Sequence, residues 1–251
     1  MVKIRTLAVF ILNIALIVAL NGCGGKQVKQ DEDFSPEKFL DRANKLIDDG
    51  DYEGARKVLI EVKNRDLTKK YAPLAQLRIA DSYIKDSDPD HGIEEYKKFL
   101  ELYPDNPQAS YAQYQIAMAY FSQIEGADRG LSAAQKALQE FTRLKELYPR
   151  NPYRDIIALR VQKCRKVMAE GEFIVGEFYY KKESYKPAIN RFEQLLKRFP
   201  EYERADEAFL LLGKSYKAVK MEDKARDAFK TLIEKYPSSR FVKEARKAIQ
   251  G

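Results

Sequence analysis

Residues 209–237 read FLLLGKSYKAVKMEDKARDAFKTLIEKYP, and the spacing of seven of them decides the fold. Phe209, Leu212, Gly213 and Tyr216 recur at the three- and four-residue intervals of one helix face. Ala225 and Phe229 repeat that spacing on a second helix, which Pro237 ends because proline cannot continue the hydrogen-bond ladder. Small Gly213 and Ala225 belong where two paired helices approach most closely, and the bulky ring one turn away fills the gap beside them.

The pattern extends upstream. An aromatic residue followed by proline closes four stretches: Tyr103-Pro104, Tyr148-Pro149, Phe199-Pro200 and Tyr236-Pro237. Counting back from Pro200 places Phe192, Ala188, Tyr179 and Gly176 in the same register, and from Pro104 it places Tyr96, Gly92, Tyr83, Ala80 and Ile79. From Pro149 the second helix matches through Phe141 and Ala137. Ile116, Ala117 and Tyr120 match its first helix once about eight residues, Gln123 to Gly130, form a lengthened turn. In the first unit Ala43 and Ala55 fit, but Leu46 and Leu59 replace aromatics and no proline closes it near Asn64-Arg65.

This aromatic-x2-L-G-x2-Y…A-x3-F…P spacing resembles the tetratricopeptide repeat (TPR). It predicts an all-α fold, a superhelical array of about five TPR helix-turn-helix repeats with a C-terminal capping helix over Ser238–Ile249. Pro149 and Pro200 stand 51 residues apart, against 37 for Pro200 and Pro237, so the fourth repeat opens with an unusually long helix between Pro152 and Tyr180. Residues 35–123 form an N-terminal half and 124–251 a C-terminal half.

Ahead of the repeats, Lys3 and Arg5 precede an apolar run from Leu7 to Leu20, an export signal over 1–22. Leu20-Asn21-Gly22-Cys23 has the Leu, small residue and Cys of a bacterial lipobox, apart from Asn21, so it resembles a site where Cys23 is diacylated. Each methylene placed in the bilayer is worth about 0.8 kcal/mol, and two or three chains hold a protein at a membrane. Gly24 in place of Asp favours the outer membrane, with the protein facing the periplasm. The polar stretch after it makes 23–34 an acylated Cys and flexible tether.

The charge of +7 falls to +5 once Lys3 and Arg5 are cleaved away, and both signs alternate along helix faces. That describes solvated surface rather than a nucleic-acid footprint. No cofactor or metal site is expected. The single His91 has no second His or Cys nearby, Cys164 sits in the helical pattern as a small apolar residue, and Gly213-Lys214-Ser215 follows Ala208 where a phosphate loop needs glycine. A binding scaffold, not an enzyme, is the expectation.

Counting along the first helix of each pair places Leu40, Ile47, Leu74, Leu77, Ile84, Tyr111, Tyr114, Met118 and Phe121 on the concave face of the first three repeats. The last two repeats present Glu170, Phe173, Glu177, Tyr180, Glu207, Leu210, Lys214 and Lys217 there. An aromatic-lined groove suits an extended peptide, and a mixed charged face suits a folded domain. Each apolar residue has a second reading, in which it seals one repeat against the next.

Ala137 to Tyr153, the Cys164-Arg165 pair and Phe173 to Pro200 are similar to the BamD family of outer-membrane protein assembly factors, a resemblance covering nearly the whole mature chain. It implies partnership with a transmembrane barrel subunit, BamA, through a periplasmic POTRA domain, and with unfolded outer-membrane proteins, with room for further assembly lipoproteins. It implies docking through the C-terminal repeats, recognition of aromatic C-terminal signals by the N-terminal ones, and a barrel-subunit contact at Arg191 in Ala188-Ile189-Asn190-Arg191. The competing readings are envelope TPR scaffolds, a cell-wall and division coordinator or a secretin pilotin. The first lacks its coiled coil here and the second lacks the long helix.

Overall fold

A computed structural model describes residues 34–125 and 130–250. The export signal, Cys23, all but the last residue of the tether and part of the inserted turn lie outside them. Eleven helices and no strand occur among the described residues. They are α1 (Pro36–Asp48), α2 (Tyr52–Arg65), α3 (Ala72–Lys85), α4 (Pro89–Leu102), α5 (Ala109–Ser122), α6 (Leu131–Leu147), α7 (Arg154–Lys181), α8 (Tyr185–Arg198), α9 (Ala205–Ala218), α10 (Glu222–Lys235) and α11 (Val242–Gln250). Each packs on the helix before it and the one after it, which makes five antiparallel hairpins in series, and α7 also meets α9.

The same local chemistry recurs at every joint. Tyr103, Tyr148, Phe199 and Tyr236 cap their helices with φ between −128° and −135° and ψ between 55° and 65°. The proline that follows excludes the helical region at these residues, so the chain turns there. A backbone N–H three residues on, from Asn106, Asn151, Tyr202 or Ser239, then donates to the carbonyl of the capping aromatic. The first repeat has no proline, and the buried carboxylate of Asp66 replaces it by accepting from the amides of Tyr71 and Ala72 at 2.6 and 2.9 Å.

Within four hairpins the turn passes through one left-handed residue, Gly50, Ser87, Glu183 or Lys220, with φ of 82°, 61°, 58° and 62°. In each, the amide of the next residue reaches back to a carbonyl in the last helical turn. Helix crossings depend on small side chains as the spacing implied. A Cβ on Gly213 would lie 2.4 Å from Phe229 Cε1, and one on Gly176 would lie 2.8 Å from Phe192 Cε1.

The long helix spans 28 residues, beginning at Arg154 rather than Pro152, because Asn151 Oδ1 accepts the Tyr153 amide at 2.9 Å and holds that residue in the turn. The capping helix begins at Val242, because Ser239 Oγ accepts the Phe241 amide at 3.1 Å. Its Ala245 is fully buried against the last hairpin.

Candidate binding surfaces

The concave positions separate by depth. One residue per first helix, at equivalent places in the repeat, turns into the seam between hairpins: Leu40, Leu77, Phe173 and Leu210 are buried. Tyr114, their counterpart in the third repeat, stacks on Tyr153 of the next inter-repeat turn at 4.0 Å. Leu40 and Leu77 therefore belong to the core and not to an open groove, and Ile47 is buried with them. Phe121 is covered too, with Phe141 at 6.1 Å and the Arg160 guanidinium 4.7 Å above its ring. These corrections share one cause. The residue one turn before the open position faces the following helix, and burial of its apolar surface seals the stack.

Leu74, Ile84, Tyr111 and Met118 remain partly open. Ile84 and Tyr111 line a cleft with Ile47, Arg78, Asp81 and Gln115. Its centre is Asp81, whose Oδ1 accepts from the Tyr111 hydroxyl at 2.8 Å and from the Tyr96 hydroxyl. Burial, then the Asp81 charge, pushes Tyr111 up to about 12 and Tyr96 further in the same direction. Sequence reading passed over Asp81 because the expected groove was apolar. Two tyrosines one helix apart were the available signal.

In the C-terminal half, Arg191 Nη1 donates to Glu172 Oε2 at 3.0 Å, and Arg198 reaches the other Glu172 oxygen at 3.4 Å. Glu172 is only 12% exposed in its side chain while Arg191 is 41% exposed, so the guanidinium keeps an open side. The same two positions in earlier hairpins hold Gln76 with Glu95 and Gln113 with Glu140, bonded at 2.6 and 2.7 Å. Arg191 thus stands where an internal tie joins the two helices of a repeat, a relation invisible without the pairing register.

The remaining expected positions are also engaged. Glu177 pairs with Lys181 at 2.9 Å, and the Tyr180 ring lies 6.0 Å from Tyr185. Lys214 pairs with Glu244 at 2.5 Å, and Lys217 donates to the Ala248 carbonyl at 3.1 Å, so both lysines hold the capping helix. Glu170 accepts from Arg204 at 3.1 Å and from the Tyr202 hydroxyl at 2.6 Å. His91 Nδ1 lies 2.6 Å from Asp88, and the buried Cys164 thiol is pushed up to about 11. No described helix is long and apolar enough to cross a membrane.

A family model described as YfiO, outer membrane lipoprotein, matches residues 32–228. Among curated proteins, the outer membrane protein assembly factor BamD of Neisseria meningitidis serogroup B is 25% identical over 93% of each chain. The BamD of Rickettsia prowazekii is 24% identical over 99% of this chain and 98% of its own, and that of Caulobacter vibrioides 24% over 95% and 79%. Among solved structures, the TPR2AB domain of yeast Sti1 is 14% identical with a TM-score of 0.47, covering 86% of this chain and 83% of its own.

Proposed function

Because this chain belongs to the YfiO family of outer membrane lipoproteins, we propose that it is an outer-membrane protein assembly factor, held by acyl groups on Cys23 at the periplasmic face. The observation that carries this reading is the end-to-end alignment with relatives of that name, over 93% of both chains in one case. It acts by binding, through two surfaces on one stack of hairpins.

The C-terminal surface takes a POTRA domain of the barrel subunit through Arg191, Glu177 and Tyr180, with Lys214 and Lys217 at its edge. Half of the Arg191 fork is spent on Glu172, and the exposed half is free to take a carboxylate from the partner. The N-terminal surface takes extended segments of unfolded outer-membrane proteins along Leu74, Ile84, Tyr111 and Met118. There the apolar walls and the Asp81 cleft give one aromatic side chain a place to lodge.

Binding of the purified chain to an immobilised barrel subunit tests the first surface. Arg191→Glu weakens capture by more than about tenfold, since it sets a like charge against the partner's carboxylate and against Glu172. Glu172→Gln, which frees the guanidinium, binds at least as well as the parent. Undiminished capture by Arg191→Glu with an unchanged melting profile overturns the docking assignment.

A further inference from the structure

We propose that the loop between α2 and α3 is a membrane-contact prong, which sets Leu67, Lys69 and Lys70 on an anionic phospholipid surface beside the lipid anchor. This rests on the acylation of Cys23 proposed above. Leu67 is 93% exposed, more than any other large apolar residue described. An exposed leucine alone carries little meaning, but this one stands on a built loop.

Asp66, 7% exposed, spends both carboxylate oxygens inside that loop. Oδ1 accepts from the Thr68 amide at 3.1 Å and the Thr68 hydroxyl at 2.6 Å, while Oδ2 accepts from the Tyr71 and Ala72 amides. The Leu67 amide donates to the Arg65 carbonyl at 2.9 Å and the Lys69 amide to the Asp66 carbonyl at 3.2 Å. Lys69 sits at φ 54°, a conformation that L residues avoid. The backbone donors of Leu67, Thr68, Lys69 and Tyr71 are thus satisfied inward, which a segment must achieve before it leaves water. An isobutyl group and two ammonium groups are left outward.

The place of the loop names its occupant. Arg65, at the end of α2, holds its guanidinium 4.3 Å over the ring of Phe34, the first residue described, and the Tyr71 hydroxyl donates to Glu37 in the first turn of α1. The loop is therefore tied at both ends to the point where the chain leaves for Cys23. Only ten residues, 24–33, lie between Cys23 and Phe34, and fully extended they reach at most about 40 Å. A leucine in the headgroup region and two lysines against anionic lipid are too weak to hold a protein alone, yet they orient one that is already tethered. The hairpins would then leave the bilayer at a set angle.

The chain has no tryptophan, so Leu67→Trp supplies a single reporter. Residues 23–251 are coupled through Cys23 to a maleimide-bearing lipid in vesicles of phosphatidylethanolamine and phosphatidylglycerol, and buried Cys164 does not compete. Brominated acyl chains quench L67W at least roughly threefold more than Leu147→Trp, at an exposed leucine far along the stack. Adding Lys69→Glu and Lys70→Glu to L67W abolishes the difference. Equal quenching of L67W and L147W while the protein stays coupled overturns the prong and leaves the anchor intact. Incorporation of labelled palmitate by cells expressing the parent chain, but not Cys23→Ser, supports the anchor. Its absence from the parent overturns both.

Discussion

Gly213 and Gly176 mark the places where one carbon atom decides whether a hairpin closes. Alanine there gains about 1 kcal/mol of helix propensity, but the new Cβ at 2.4 or 2.8 Å from a phenyl ring forces Phe229 or Phe192 off its seat. Overpacking of that kind costs about 1–3 kcal/mol, so Gly213→Ala lowers the urea midpoint more than Gly176→Ala does. The opposite sign is expected at Lys220, held at φ 62°. Lys220→Gly relieves the left-handed strain and raises stability by about 0.5–1 kcal/mol in the same assay. Tyr111 adds a pH dependence. A free tyrosine ionises near pH 10, and burial beside Asp81 moves Tyr111 to about 12. Unfolded chains lose that proton first, so stability is intact below pH ~10 and drains away between ~10 and ~12. Circular-dichroism melts across that window show a shallower fall for Tyr111→Phe.

At the scale of elements, the α2–α3 loop depends on one carboxylate. Asp66→Ala leaves the Tyr71 and Ala72 amides without their partner, lowering stability by about 1–2 kcal/mol and raising hydrogen exchange at the start of α3 more than elsewhere. That joint also explains what could be read in advance. Aromatic-proline pairs act within a few residues, by excluding the helical region before proline, so four of the joints and the extent of α7 were legible from spacing alone. The first joint was not, because a buried aspartate bonded to amides five and six residues on leaves no short-range signature. The concave face was half legible. Leu77 and Leu74 share one apolar stripe three residues apart, and only the position of the following helix tells which is sealed and which is open.

Across the whole molecule, contacts run only between neighbours in sequence order, apart from α7 on α9. Loss of an end is then felt locally. Truncation after Phe241 removes Ala245 from its socket and the partners of Lys214 and Lys217. Amide exchange in α9 and α10 should rise while α1 to α4 stay as protected as before, and uniform loss of protection would contradict a serial array. Such arrays face a hazard that globular domains do not, since any hairpin half resembles every other and can pair with the wrong sibling while the chain is being made. The internal ties discourage this. Gln76 answers Glu95 and Gln113 answers Glu140, but in the fourth repeat Glu172 answers Arg191. If α7 seized α4 or α6, two carboxylates would meet without a cation between them, and α8 paired with α3 or α5 would leave a guanidinium facing an amide. The reversed polarity works as a key that lets the fourth hairpin recognise its own half among look-alikes.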